Sequence, residues 1–468
     1  MNYLKLILTT VLISAITISG FSQTSVDGRI NSKEMQKIIS LVKSNSETQA
    51  LTNAISNNEI KKLAINRENA GKVNHFFTNK VETKGITNQK SSGRCWLFTG
   101  LNTLRPIIIN KLKLNEFEFS ENYSFFWDQF EKANLFLEGI IMTRDKADDD
   151  RTVDWFFKGP INDGGQWTTF AGIITKYGLV PKSAMPETYH SSNTSWMSRM
   201  IKRKLREDGV RLREMNNNGK NLNEIREEKL VMLSDIYKML VFTLGEPPAE
   251  FTWQYENTDK VISEEKTYTP KQFLNEYIGI DFGEYVMFMN DPTRPYNKLY
   301  EVEFDRNLVE GNNWKYINLP SDKIKEFAKA SIINNEKMYF SCDVGKQLNT
   351  DIGTLDLNNY NYDDLFGVKF GMTKAERIKT HDSGSSHGMT LSGANIDKDG
   401  NIDKWLLENS WGLKRGHKGY LTMTDEWFDE YMFRLVINKK YLDKKTLKIL
   451  KQEPTLLPPW DPMFAPEK

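Results

Sequence analysis

Cysteine is nearly absent from this 468-residue chain: only Cys95 and Cys342 occur. Two thiols cannot build a disulfide framework. A single bridge between them remains one reading, but Cys342 lies in the apolar run "KMYFSCDVGK", where a buried, inert thiol is expected. Charge of one sign is also missing, with 63 basic residues against 62 acidic ones and a net charge of +1. No global field therefore draws the protein toward nucleic acid or anionic lipid. The basic cluster Lys202, Arg203, Lys204 and Arg206 reads as a solvated helix face, so a nucleic-acid partner is not expected. Paired-histidine metal motifs, phosphate loops and dinucleotide fingerprints are absent, and no cofactor is implied. "DKDGNIDK" places Gly400 too early for a calcium loop and reads as a hairpin turn. No internal repeat occurs.

Long apolar runs are confined to the beginning, "MNYLKLILTTVLISAITISGFSQ", with Lys5, an apolar stretch from Leu6 to Ile18, and Gly20 and Ser22 after it. The stretch is shorter than the ~20 residues of a spanning helix, so residues 1–22 are expected to be a cleaved secretory leader. That predicts an exported protein, periplasmic or secreted, with no membrane partner. An apolar content of 39% is ample for a buried core.

After the leader, residues 23–75 form an N-terminal arm with helical spacing at Met35, Ile38, Ile39 and Val42. Residues 76–196 read as a helical half: "CWLFTGLNTLRPIIINKLK" and "ENYSFFWDQFEKANLFLEG" are apolar at helical intervals, and Pro106 predicts a kink or an early end in the first. "NDGGQWTTFAGIITKYG" is a glycine turn feeding a helix that stops at Gly178. Residues 197–245 read as a charged helical hairpin exposed on one side. Residues 301–450 are β-rich, with strands in "KMYFSCDV", "HGMTLSGANI", "KWLLENSWG" and "KGYLTMT". Residues 451–468 are a C-terminal arm.

Hydrolysis through a thiol needs a thiolate, a base, a group that orients the base, and oxyanion donors. Cys95 opens an apolar helix, where unpaired N–H groups favour a negative sulfur. Gln89 stands six residues earlier, so a turn brings its amide beside the Cys95 backbone N–H as a pair of oxyanion donors. His387, in "SGSSHGMTLSG", opens a strand among small residues that leave room for a substrate. Asn409, in "WLLENSWG", follows on the neighbouring strand, where its carbonyl can accept the imidazole N–H, with Trp411 as a shield. Each residue alone is weak evidence, because an isolated Cys or His is structural in most proteins; the four in this order are not.

These stretches, "NQKSSGRCWLF", "NDGGQW", "HGMTLSG" and "ENSWG", resemble papain-like cysteine peptidases of the bleomycin hydrolase and aminopeptidase C branch. The resemblance extends to "FFWDQFEKA", "KYGLVPKSAMPE", "NDPTRPYNKLYEVE", "KGYLTMTDEWFDEY" and "LPPWDPM", from about residue 35 to the end. In the papain pattern a Cys-Gly-Ser/Ala run precedes the nucleophile, with His and Asn ~130–150 residues downstream. Here Ser92 replaces the first Cys, Arg94 precedes Cys95, and His387 lies 292 residues beyond it, which favours the bleomycin hydrolase branch. The resemblance implies an α+β papain-like fold with a large, mainly helical insertion over residues 197–300, catalytic Cys95, His387, Asn409 and Gln89, and Gly164 and Gly165 lining the peptide cleft. It also implies a hexameric ring and a C-terminal arm whose terminal carboxylate, on Lys468, pairs with the substrate's α-amino group. The expected activity is a cysteine aminopeptidase acting on peptides; a papain-like endopeptidase and a peptide-binding scaffold without turnover are the alternatives. The tail "WDPMFAPEK" departs from the family's small-residue ending, so exo- against endo-action is decided by where that tail lies.

Overall fold

In this computed structural model, which describes residues 28–42 and 46–461, the apolar run after Arg94 folds as the predicted helix, Cys95–Leu112. The leader and Lys468 lie outside the described residues. Pro106 neither ends nor truncates the helix, which runs six residues further. A proline forfeits one helical hydrogen bond, but this helix is buried along most of its length, and that packing outweighs the lost bond.

The chain divides into two compact units, one ending at Leu63 and one beginning at Ala64. The first holds helices Ser32–Leu41, Ser46–Asn57 and Ile60–Leu63. Its first helix opens with a reciprocal cap, in which Asn31 accepts from the Lys33 and Glu34 N–H groups and Glu34 accepts from the Asn31 N–H. Met35, Ile38, Ile39 and Val42, the residues of the predicted apolar stripe, are all exposed, and the helix ends before Val42.

In the second unit, helices Glu121–Met142 and Trp167–Tyr177 pack with the Cys95 helix. The latter ends at Gly178, which has φ of 83°. A Cβ there would stand 2.3 Å from the Pro270 carbonyl carbon, so both the backbone conformation and the close approach require glycine. The charged segment is the predicted hairpin, helices Ser195–Asn217 and Leu222–Leu244.

The described residues form a twelve-stranded mixed sheet. At its centre, strand Met338–Cys342 lies between Met432–Asn438 and His387–Ile396, followed by Ile402–Glu408 and Tyr420–Thr424, all antiparallel. The expected strands are therefore present, and "DKDGNID" turns the chain between two of them, with the Asp397 N–H donating to the Asn401 carbonyl. Alternation sends successive side chains to opposite faces. Met287, Met289 and Tyr339 join the core shared with the helices, whereas Val286, Phe288 and Phe340 join a second core on the other face.

The Cys95 helix lies against the His387 strand. A Cβ on Gly388 would be 3.0 Å from Thr99 Oγ1 and 3.5 Å from Trp96 Cα, and the Thr390 hydroxyl donates to the Thr99 carbonyl. A side chain at 388 would crowd the Thr99 hydroxyl where the strand passes the helix beside residues 95 and 387.

Candidate active site

Cys95 is the first residue of its helix, and Arg94 holds the cap position without a side-chain capping bond. The helix start thus directs its partial positive charge toward the thiol residue. Cys95 and Cys342 are both buried and neither is in a disulfide, which settles the bridge in the negative. Cys342 is wholly inaccessible, as its apolar run predicted, and lies directly across the strand pair from His387.

His387 Nε2 lies 2.8 Å from Asn409 Oδ1. The orientation of that amide is determined by its other contact, because Oδ1 also accepts the Ser410 backbone N–H at 2.8 Å. An oxygen bound this way can only accept, so Nε2 carries the proton and Nδ1 is the basic nitrogen. Trp411 stacks on the imidazole, with ring centroids 4.8 Å apart and planes 30° apart, covering the bond as predicted. Burial pushes the His387 pKa down to about 4, opposed by the hydrogen bond to Asn409, which favours the protonated ring. The ring is therefore neutral at pH 7, with Nδ1 unprotonated, and the same burial opposes its protonation. The other histidines lie elsewhere: His75 and His417 stack on each other at 3.8 Å.

Gln89 is held on both sides. Its backbone N–H donates to the Ser410 carbonyl, its Oε1 accepts the Ser410 hydroxyl at 2.6 Å, and its Nε2 donates to the Ser92 carbonyl at 2.7 Å. With the amide oxygen taken by Ser410, its N–H₂ end faces the turn that leads into Cys95. Ser410, which follows His387's partner, and Gln89 are thus joined in one hydrogen-bonded patch.

Gly164 and Gly165 line a cavity of about 420 Å³ that also contains Phe136, Trp155, Phe156, Phe304 and Ser385, the last only two residues before His387. A Cβ on Gly165 would lie 2.6 Å from the Trp96 ring, so this wall admits no side chain. The C-terminal segment reaches the same cavity with Pro459 and Trp460. Asp305 and Arg434 add charge at its wall; burial raises the Asp305 pKa and Arg434 lowers it.

Three supporting residues escaped the sequence reading. Ser410 holds Gln89 across 321 residues. Asp163 accepts the Ser198 hydroxyl at 2.8 Å and the Gly93 N–H at 3.3 Å, and its carbonyl accepts the Trp96 indole N–H at 2.6 Å. Glu408, immediately before Asn409, is buried between Arg105, 3.2 Å away, and Lys337. Ser410 and Asp163 sit inside motifs already singled out, so motif membership was a usable signal. Glu408 opens the same "ENSWG" stretch, but its partners lie 303 and 71 residues away, so the motif did not reveal the pairing. In the basic cluster, Arg206 bonds the Phe157 and Lys158 carbonyls and Lys204 pairs with Asp208, so two of its four charges serve internal contacts.

Comparison with known proteins agrees with this geometry. Residues 29–464 match the model of the Peptidase C1-like family. Aminopeptidase C of Listeria monocytogenes is 41% identical over 412 residues, covering 88% of this chain and 92% of that protein. Human bleomycin hydrolase is 39% identical over 448 residues, covering 93% and 98%. The crystal structure of PepW from Lactobacillus rhamnosis superposes with a TM-score of 0.91 at 39% identity, covering 93% of this chain and 99% of that one. The α+β papain-like fold expected from the motifs is therefore present, and the chain belongs to the Peptidase C1-like family.

Proposed function

We infer that the protein is a cysteine aminopeptidase that removes N-terminal residues from peptides through a thioester intermediate. The observation that carries this reading is the ordered pair His387–Asn409 beside the helix that begins at Cys95. Relatives named aminopeptidase C and bleomycin hydrolase support it over nearly their full length.

In the proposed mechanism, His387 Nδ1 takes the Cys95 proton and the thiolate attacks the peptide carbonyl. The Gln89 amide and the Cys95 backbone N–H receive the oxyanion. The imidazolium, held by Asn409, protonates the leaving amine, and the C–N bond breaks to leave a thioester. Water then attacks, giving its proton to His387, and the thioester collapses to release the acid and restore the thiol. Gly164 and Gly165 form the wall along which extended peptide backbone lies.

Pro459 and Trp460 line the same cavity as Gly164 and Gly165; on this reading the chain beyond them closes the non-primed side and leaves a subsite for one residue with a free α-amino group. Comparing free-amine with N-acetylated peptides tests this: we expect cleavage of the former only. Equal rates would instead identify an endopeptidase. Cys95→Ala is expected to abolish turnover, and full activity in that variant would overturn the mechanism; no labelling of reduced protein by a peptide-like thiol electrophile would indicate a scaffold without turnover. Two further proposals rest on sequence: export after removal of residues 1–22, tested by N-terminal sequencing of the mature protein, and assembly as a homohexamer, tested by sedimentation.

A further inference from the structure

Arg94 immediately precedes Cys95, yet its side chain is completely buried. A buried guanidinium is costly unless each donor is matched. Here Nη1 and Nη2 grip Glu187 at 3.0 and 2.7 Å, and Nε donates to Ser92 Oγ at 3.1 Å. The rings of Phe98 and Phe125 lie 5.1 and 5.4 Å from the guanidinium carbon. Glu187 is fastened in turn by the Ser191 hydroxyl at 2.7 Å, and Arg94 holds its carboxyl below the usual range against the opposing effect of burial.

Ser92 transmits this arrangement to Gln89. Its hydroxyl, oriented by Arg94, donates to the Gln89 carbonyl at 2.6 Å, while the Gln89 side chain donates back to the Ser92 carbonyl at 2.7 Å. The same turn is tied a second time, by Ser91 N–H donating to the Ser192 carbonyl at 3.0 Å. Segment 187–193, which leads into the inserted helical hairpin, therefore holds the turn between Gln89 and Cys95 at two points.

We propose that Arg94, fixed by Glu187, is a positioning residue that sets the Gln89 amide for the oxyanion by way of Ser92. The inference rests on the roles of Cys95 and Gln89 in the proposed mechanism. Arg94 touches no reacting atom. Its planar fork satisfies Glu187 and Ser92 together, which a lysine ammonium at the same place cannot reproduce.

The test compares turnover of a free-amine peptide substrate with inactivation by iodoacetamide. Alkylation requires the thiolate but forms no tetrahedral oxyanion. In the full-length protein, Ser92→Ala and Arg94→Lys should each lower kcat roughly tenfold with little change in KM, consistent with a displaced positioning contact. Gln89→Ala should lower it roughly a hundredfold. Iodoacetamide inactivation should stay within about twofold of the parent in all three if the thiolate pair is intact. Adding Ser92→Ala to Gln89→Ala should bring no further loss, because both act on one contact. Unchanged kcat in Ser92→Ala and Arg94→Lys beside a lowered kcat in Gln89→Ala would overturn this inference alone. Parallel loss of kcat and alkylation would reduce Arg94 to a general structural role and also overturn it. Unchanged kcat in Gln89→Ala would overturn the oxyanion assignment beneath it.

Discussion

Removing the sulfur should expose the intrinsic behaviour of His387. In Cys95→Ala no thiolate faces the ring, and its pKa is set by burial, which lowers it to about 4, and by the Asn409 bond, which opposes that shift. The ordinary value is 6.5, so the difference is 6.5 − 4 = 2.5. At 1.36 kcal/mol for each pKa unit this amounts to about 3 kcal/mol. The sign follows from proton uptake. As pH falls below 6.5 the unfolded chain binds the proton, while the folded protein does not until about pH 4. This ring's contribution is therefore fully present at neutral pH and is lost progressively between those values. Chemical denaturation of Cys95→Ala at pH 7 and pH 4 should show about 3 kcal/mol more loss than the same protein carrying His387→Gln. Direct NMR titration of the ring should give a midpoint near 4. A midpoint near 6.5, with the two variants matching in pH dependence, would refute the desolvation of this buried imidazole. In the native enzyme the thiolate favours the imidazolium, so the ring should titrate higher than in Cys95→Ala.

Asn409→Ala removes the acceptor that holds the imidazolium; a hydrogen bond to a charged group is worth ~1.5–3 kcal/mol, so kcat should fall roughly tenfold to a hundredfold while the fold survives by circular dichroism. Glu408→Ala leaves the buried Arg105 and Lys337 without their shared carboxylate, and denaturant titration should show a loss of about 3–5 kcal/mol. By contrast, Glu256→Ala, which breaks an exposed pair with Lys260, should leave the denaturation midpoint nearly unchanged. Gly165→Ala drives a methyl group into the Trp96 ring; a loss of about 1–3 kcal/mol by thermal or chemical unfolding is expected, together with a raised KM for peptide substrates. Unchanged stability in that variant would mean the wall yields more readily than its contacts imply.

Much of the site was legible because its key residues act through short stretches. A glycine pair in a turn, a cysteine opening an apolar helix, and a histidine opening a strand each carry a local signature. Asn409 was readable because its strand follows the His387 strand through a tight turn, so sequence distance and spatial distance run together. The helices and central strands were readable from apolar spacing, since that spacing is what buries one face. The early end allowed for at Pro106 does not occur, because burial along most of the Cys95 helix carries it past the proline.

By itself, the sequence determined the main helices, the central strands and the order in which Gln89, Cys95, His387 and Asn409 occur along the chain. The tertiary structure alone decided how they are held. Arg94 meets Glu187 across 93 residues, Gln89 meets Ser410 across 321, and Glu408 meets Arg105 across 303. No period or local motif records such pairings. They arise when two separate cores, one on each face of the sheet, bring distant segments together around buried polar groups that must find partners.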